Sequence, residues 1–242
     1  MQKLDFSLQF EETKKKFSGY PVVIVAAGSS SRMQGVDKQF SPLCGIPVLA
    51  RTLKAFENSP FITEITVVTR EEKIADIEKL GKRYAISKLK NVIVGGASRE
   101  ESVKNVISLY KEKSQKILVH DGARPLVTQE VIQGVANALE TSDSVACGVK
   151  IKDTVKIVDD NGMVTHTPDR SKLVSVQTPQ GVDINKFLMI CKNKDLSLFT
   201  DDTSVMEAGG ITTQITQGDY SNIKITTPED IALAQGIIEK EW

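Results

Sequence analysis

Four short segments concentrate the residue types that handle phosphate. The first is Ala26-Ala27-Gly28-Ser29-Ser30-Ser31-Arg32-Met33, with Lys38 close behind. Small residues that leave a strand let backbone N–H groups face a ligand, and such a nest binds anions. Arg32 offers a planar fork of donors and Lys38 a mobile point charge. No Gly-Lys-Ser/Thr follows and no GxGxxG is present, so the loop is neither a Walker A motif nor a dinucleotide fingerprint. The alternative is an ordinary Ser/Gly connection with a surface arginine.

The second segment is Gly95-Gly96-Ala97-Ser98-Arg99-Glu100-Glu101-Ser102. Ser98 with Glu101 three residues on reads as a helix cap, and Arg99 beside two glutamates reads as solvated surface. A cap leaves Gly95, Gly96 and Ser102 unexplained, and these fit the edge of a nucleotide. The third is His120-Asp121-Gly122-Ala123-Arg124-Pro125. Charge at the end of an apolar strand is placed for binding rather than core packing. Asp121 fits an acceptor for a ribose hydroxyl or a magnesium ligand, and equally a structural pair with Arg124. The fourth is dispersed: Thr154, Arg170 and Lys224 together supply contacts for a second phosphorylated substrate. Taken singly, each reads as ordinary surface, and Lys224 inside an apolar strand either snorkels to water or points into a cleft.

Acid–base machinery is thin by comparison. The two histidines, His120 and His166, have no evident relay partners, and no Ser-His-Asp set, GxSxG elbow or glycosidase carboxylate pair stands out. An excess of phosphate-binding groups over bases suits nucleotidyl transfer, which needs mainly positioning and charge neutralisation when the nucleophile is already an anion.

The elements that must position these groups alternate between strand and helix. Residues 21–27, 64–69, 92–94, 117–119 and 144–149 read as strands. Helices read at 47–56, 71–80 with Gly81 as C-cap, 100–110, and 128–139 with Thr128 as N-cap. This rhythm predicts an α/β fold: a three-layer α/β/α, Rossmann-like arrangement on a mostly parallel sheet. It breaks at residues 150–176, where β-like pieces at 154–158 and 173–176 flank the turn signal Asn161-Gly162. We read a protruding β-arm that either folds back on its own domain or reaches a second subunit. Beyond it, helices are expected at 183–190, 202–207 and 228–238, the last with Ile231, Leu233, Ala234 and Ile237 inward, and strands at 211–215 and 223–225. One domain over 1–242 with an arm is the economical parse.

Composition narrows the partners. The chain has 242 residues, 40% hydrophobic and 26% charged, with Lys+Arg 31 against Asp+Glu 31 and a net charge of zero. That is a globular composition without a general nucleic-acid-binding coat. Cys44, Cys147 and Cys191 are far apart and form no CxxC, which argues against a zinc site or a disulfide framework and for a reducing compartment. Residues 22–27, the longest apolar run, cannot cross a bilayer, and residues 1–16 do not form a signal peptide. The expectation is a cytoplasmic protein with no membrane or nucleic-acid partner.

The ordered set Ala26-Ala27-Gly28, Arg32-Met33, Lys38-Gln39-Phe40, His120 to Pro125, Asp153-Thr154-Val155-Lys156, Thr178-Pro179-Gln180, Thr200-Asp201-Asp202 and Asn222 to Asp230 resembles the 2-C-methyl-D-erythritol 4-phosphate cytidylyltransferases of the non-mevalonate isoprenoid pathway over roughly residues 20–240. The resemblance implies transfer of CMP from CTP to that phosphate, with Mg2+ and a homodimer. It implies that Ala26, Ala27, Gly28, Arg32 and Lys38 cradle the triphosphate, with Arg32 and Lys38 stabilising the transition state. Gly95, Gly96 and Ser102 would then meet the cytosine, and Asp121, Gly122 and Arg124 would lie near the ribose and the metal. Thr154, Arg170 and Lys224 would hold the sugar phosphate, the first two on an arm that interlocks with the second subunit. Departures are Ser29-Ser30-Ser31 where a glycine and a basic residue are frequent, Ala97 where aspartate is common, and Gly122 for alanine, a change expected to do little. Residues 1–19 lie outside the resemblance. The nearest rival is the ribitol-5-phosphate cytidylyltransferase of teichoic-acid synthesis, against which Asp153-Thr154-Val155-Lys156 and Asp169-Arg170 weigh. A catalytically silent nucleotide-binding regulator is the rival of another class, and the full cationic set weighs against it.

Overall fold

The structure, a computed structural model, describes residues 19–28, 37–96 and 98–240. In chain order the elements are β1 (Tyr20–Val25), β2 (Pro42–Leu43), β3 (Ile46–Pro47), α1 (Val48–Glu57), β4 (Ile62–Thr69), α2 (Ile74–Arg83), β5 (Leu89–Val94), α3 (Arg99–Ser108), β6 (Lys116–Asp121) and α4 (Gln129–Thr141). There follow β7 (Ser144–Lys150), β8 (Ile157–Val158), β9 (Val164–His166), β10 (Val174–Asp183), α5 (Ile184–Cys191), α6 (Asp202–Ala208), β11 (Gln214–Gln217) and α7 (Pro228–Lys240).

Alternation along β1 sets the two faces of the central sheet. Val22 and Ile24 enter one apolar layer with Leu49, Leu53 and Phe56 of α1, Ile77 and Leu80 of α2, and Val131, Val135 and Leu139 of α4. Val23 enters the other, with Val103, Val106 and Ile107 of α3, Phe187 and Ile190 of α5, and Val205 and Met206 of α6. Covered on both sides, the strand has no use for polar residues, which is why it reads as a continuous apolar run. The sheet has seven strands in the order β11-β7-β10-β6-β1-β4-β5. All its neighbours pair in parallel except β10, which is antiparallel to both β6 and β7. The order reverses at β1, between β4 and β6, and the crossover helices α1, between β1 and β4, and α3, between β5 and β6, lie on opposite faces. In such sheets the crevice at that switch point, beyond the carboxyl ends of the strands, receives the ligand.

Local chemistry explains the helix starts. Ser98 Oγ accepts from the Glu101 N–H, Thr128 Oγ1 from the Val131 N–H, Asp183 from the Lys186 N–H, and Asp201 shares a capping box with Ser204. Several expectations are corrected. Gly81 lies inside α2 rather than capping it, and a Cβ there would meet Leu89 Cδ2 at 2.5 Å, so close helix–strand packing is its reason. The arm hairpin pairs β8 with β9, whereas 174–176 belong to the main sheet, in register with Lys150, Val149 and Gly148. The strand expected at 211–215 is displaced to Gln214–Gln217. Residues 223–225 form no strand. They are held to the rest of the fold by the backbone bond from Ile225 N to Ala123 O, at 2.8 Å, by the Lys224–Asp121 ion pair, and by the burial of Ile225 against Ala123, Leu43 and Ala234 of α7. In α7, Ala234 is buried as expected but Leu233 faces outward.

Candidate active site

Two clefts meet at the switch point. One, of about 360 Å³, is lined by Ala27, Gly28, Lys38, Gly96, Ser102 and Asp121 among others. The second, of about 430 Å³, is bounded by Arg124, Gln177, Thr178, Gln180, Asp201 and Thr203. Arg99, Asp121 and Lys224 line both. A larger hollow beside Gly81 and Leu89 lies along the edge strand β5, away from this charge, and carries none of the expected residues.

The first cleft is built on the exits of β1 and β5. Ala26 is tied by its N–H to Val68 O at 2.8 Å, which delivers Ala27 and Gly28 to the cleft mouth. Arg32, with Ser29 to Ser31, lies outside the described residues, as does Ala97. Gly95 is required by close approach: a Cβ there would stand 2.7 Å from Ser102 Oγ and 3.2 Å from Ala27 Cβ. Ser102 Oγ accepts from the Gly96 N–H at 2.8 Å and donates to Ser98 O at 2.6 Å. Its hydroxyl therefore braces the Gly95-Gly96 turn. The Gly95 N–H is likewise spent, on Thr69 O.

Asp121 is the electrostatic centre. It ends β6, is 7% exposed, and faces three cations: Lys224 Nζ at 2.8 Å, Arg124 Nε at 3.5 Å and Arg99 Nε at 3.9 Å. Burial alone would raise its pKa, but Lys224, Arg99 and Arg124 hold it well below the usual carboxylate range. Arg124 also donates to Asn222 O at 2.8 Å, which fixes the turn that presents Lys224. Lys224 thus reaches the cleft from a loop anchored by Ile225. Gly122 is tighter than expected, because a Cβ would sit 3.1 Å from Val25 O and from Gln39 Oε1.

His120 is fully buried and packs at 4.7 Å between ring centroids against Phe56. Its Nε2 lies 3.2 Å from Arg124 O and its Nδ1 3.0 Å from Thr178 Oγ1. A carbonyl only accepts, so Nε2 carries the proton and Nδ1 accepts from Thr178. Thr178 Oγ1 in turn accepts from the Asp121 N–H at 3.0 Å. Burial pushes the imidazole pKa down to about 3. The ring is a neutral strut under the 121–124 turn.

Thr154 and Arg170 are exposed on the arm and line neither cleft of their own chain. Arg170 donates to Lys152 O across the base of the arm. Residues to which the sequence assigned no site role also converge here. Arg99, read as solvated surface, makes a two-pronged pair with Asp202 at 3.1 and 2.8 Å. Thr178 and Gln180 come from β10, and Gln39 lines the first cleft. The one available signal for Arg99 was its place at the first turn of a helix directly after two glycines.

The family model described as "IspD: 2-C-methyl-D-erythritol 4-phosphate cytidylyltransferase" matches residues 21–240. A curated 2-C-methyl-D-erythritol 4-phosphate cytidylyltransferase of Clostridium botulinum (strain 657 / Type Ba4) is 40% identical over 223 residues, covering 90% of this chain and 97% of the relative. One from Bacillus cereus (strain ATCC 10987 / NRS 248) is 40% identical over 222 residues, with 90% and 97% covered. Among solved structures, the 4-diphosphocytidyl-2C-methyl-D-erythritol synthase of Anaerococcus prevotii DSM 20548 superposes with a TM-score of 0.81 at 29% identity, covering 92% of this chain and 97% of that one.

Proposed function

We infer the workings of the cleft from one premise: the chain belongs to the 2-C-methyl-D-erythritol 4-phosphate cytidylyltransferase family, and it transfers CMP from CTP to that phosphate with release of pyrophosphate. The observation that carries our assignment of roles is a double cleft with cations at its junction and a neutral, buried histidine beneath it.

The nucleophile needs no base. A phosphate monoester has a second pKa of about 6 and is largely dianionic near neutral pH. The difficulty is to bring that anion onto a polyanion. In our reading the triphosphate lies in the first cleft, over Ala26, Ala27 and Gly28, with Lys38 and Arg32 holding the charge that builds on its α- and β-phosphates. Lys224, which lines both clefts, grips the attacking phosphate and aligns it with the α-phosphorus. Asp121 keeps Lys224 and Arg124 in place until substrate arrives. The base rests against Gly95 and Gly96. Their N–H groups are already bonded, so carbonyl oxygen is what the turn can offer. A carbonyl accepts from the 4-amino group of cytosine and is repelled by the 4-oxo group of uracil.

We take the divalent cation of the reaction to be magnesium. Among the described residues no three His, Cys, Asp or Glu side chains gather as a metal cage, and the first cleft holds one central carboxylate, Asp121. That donor set fits an ion carried on triphosphate oxygens with at most one protein carboxylate. When bound, such an ion neutralises charge on the triphosphate.

We further propose a homodimer with composite sites, Thr154 and Arg170 being delivered by the partner's arm. Their absence from their own cleft supports this, as do the exposed Ile157, Val158, Met163 and Val164 on the arm. A cytoplasmic setting suits a chain whose three cysteines are free, and among the described residues no helix is long and apolar enough to cross a membrane. The test is pyrophosphate release with magnesium, each of the four nucleoside triphosphates, and methylerythritol 4-phosphate against ribitol 5-phosphate. Selective turnover of CTP with methylerythritol 4-phosphate is expected. Equal rates with UTP, or preference for ribitol 5-phosphate, would overturn the assignment of the clefts.

A further inference from the structure

We propose that Asp37, gripped by Arg70 and Lys73, is a positioning residue that aims Lys38 into the first cleft. Asp37 directly precedes Lys38 and closes the turn that carries it. Its Oδ1 accepts from the Gln39 N–H at 3.1 Å, and its carbonyl accepts from the Phe40 and Ser41 N–H groups, both at 3.1 Å, and from Ser41 Oγ at 3.2 Å. An aspartate that bonds the backbone two residues on sets a turn locally. The turn is then fastened on two sides. Gln39 O accepts from the Leu49 N–H and Ser41 O from the Val48 N–H, which ties it to the start of α1. On the other side, Asp37 Oδ2 lies 3.4 Å from Arg70 Nη2 and 3.3 Å from Lys73 Nζ. Arg70 directly follows β4 and Lys73 directly precedes α2. The two ion pairs therefore tie the turn to the exit of the strand beside β1, at the carboxyl edge where the cleft opens. Lys73 also stands 5.0 Å over the Phe40 ring, on the same turn.

Partly exposed ion pairs of this kind add little to global stability. Their use is local. Lysine carries its charge on a flexible stem, so fixing the backbone beneath it narrows the space that the ammonium samples. Asp37, Arg70 and Lys73 line neither cleft, whereas Lys38 lines the first, so the three act through Lys38. Charge acting through space and positioning also predict different signs. Removing Asp37 takes a negative charge away from a polyanion, and Coulomb's law alone then gives unchanged or faster transfer. Removing Arg70 and Lys73 gives slower transfer on the same ground. Positioning makes both changes slower. The inference rests on the reading of Lys38 as a group that holds charge on the triphosphate.

The test is the first-turnover rate of pyrophosphate release, by rapid quench at saturating magnesium, CTP and methylerythritol 4-phosphate. Asp37→Ala, Asp37→Asn and Arg70→Met/Lys73→Met are each made with and without Lys38→Ala, and compared after thermal melting shows them folded. Asparagine keeps the acceptor for the Gln39 N–H and loses the ion pairs, so it keeps a folded protein in the set if alanine does not. Each change should slow release by about 10–100-fold where Lys38 is present, the scale of a small misplacement of a group that acts on the reacting atoms. Where Lys38 is already alanine, each should alter the rate by no more than about twofold, because the group they aim is gone. KM for methylerythritol 4-phosphate should stay within about twofold of the parent throughout. Parental or faster release by folded Asp37→Ala or Asp37→Asn would overturn the inference, as would an equal loss in the Lys38→Ala background. An unchanged rate in Lys38→Ala itself would instead overturn the reading of Lys38.

Discussion

Replacing His120 by glutamine should change how stability responds to acid while leaving the pH–rate profile as it is. In the folded protein burial holds the imidazole pKa near 3, against 6.5 for the free side chain. Below pH 6.5 the unfolded chain takes a proton at this residue and the folded chain does not, so stability present above that pH is lost as the pH falls toward 3. Between pH 7.5 and 5 the folded state takes up almost nothing, and the integrated loss from this group is about 2 kcal/mol. Asp121, whose pKa is also depressed, loses its contribution only in more acidic solution than this window. Urea unfolding of parent and His120→Gln at the two pH values isolates the effect, since every other group is common to both. The variant is expected to be less stable throughout, because glutamine loses the packing of the ring against Phe56. Its pH 7.5-to-5 decrement should nevertheless be smaller by about 2 kcal/mol. Equal decrements would refute a buried, neutral strut. A steep loss of turnover rescued at high pH would show that the ring is a general base.

Lys38→Ala should lower kcat by about 10²–10³, the cost of losing one preorganised donor to developing charge, in a pyrophosphate-release assay; an unchanged kcat removes Lys38 from the chemistry. Arg170→Ala should raise KM for methylerythritol 4-phosphate more than for CTP. Mixed with an Arg32→Ala chain under subunit exchange and assayed at sugar phosphate well below that raised KM, it should regain about a quarter of parental activity, because half the dimers are mixed and each restores one of two sites. No recovery, or a monomer by sedimentation, rules out the composite site. Gly95→Ala drives a methyl group onto Ser102 and Ala27 and should raise KM for CTP with little effect on the sugar phosphate; equal effects on both would show that the turn does not serve the base.

Where burial and periodicity agree, the fold is open to reading from residues alone. Val103, Val106, Ile107 and Tyr110 are buried as their spacing requires, and Thr128 and Ser98 cap the helices they precede. The long strand β10 was hidden because it breaks the composition of a central strand. Gln177, Thr178, Pro179, Gln180 and Gly181 are buried, and their polar groups are satisfied by Asp219, Asn222, His120 and Asp201, contacts across tens of residues. The register slips between Val176 and Gln180, where proline cannot donate to the ladder. The cleft-lining Gly28, Gly96 and Asp121 at strand exits were legible because glycine and charge there have no core use. Arg99 was not, since a cation beside Glu100 and Glu101 looks solvated until Asp202, about a hundred residues on, is folded against it.

The antiparallel insertion of β10 between β6 and β7 also dictates an order of assembly during synthesis. Strands β1, β4, β5 and β6 and their crossover helices are complete once residue 121 has emerged, and they can register with one another at once. β7 emerges next and has no neighbour to accept it, because its partners on either side, β10 and β11, are still untranslated. Until residues 174–183 emerge, the nascent chain carries β6 as an open edge with Asp121 at its tip and without Thr178 to receive the Asp121 N–H. An open edge of that kind is a template for pairing with another chain. Premature termination anywhere in the arm would therefore release a half-sheet that is both unable to catalyse and prone to stick to its own copies.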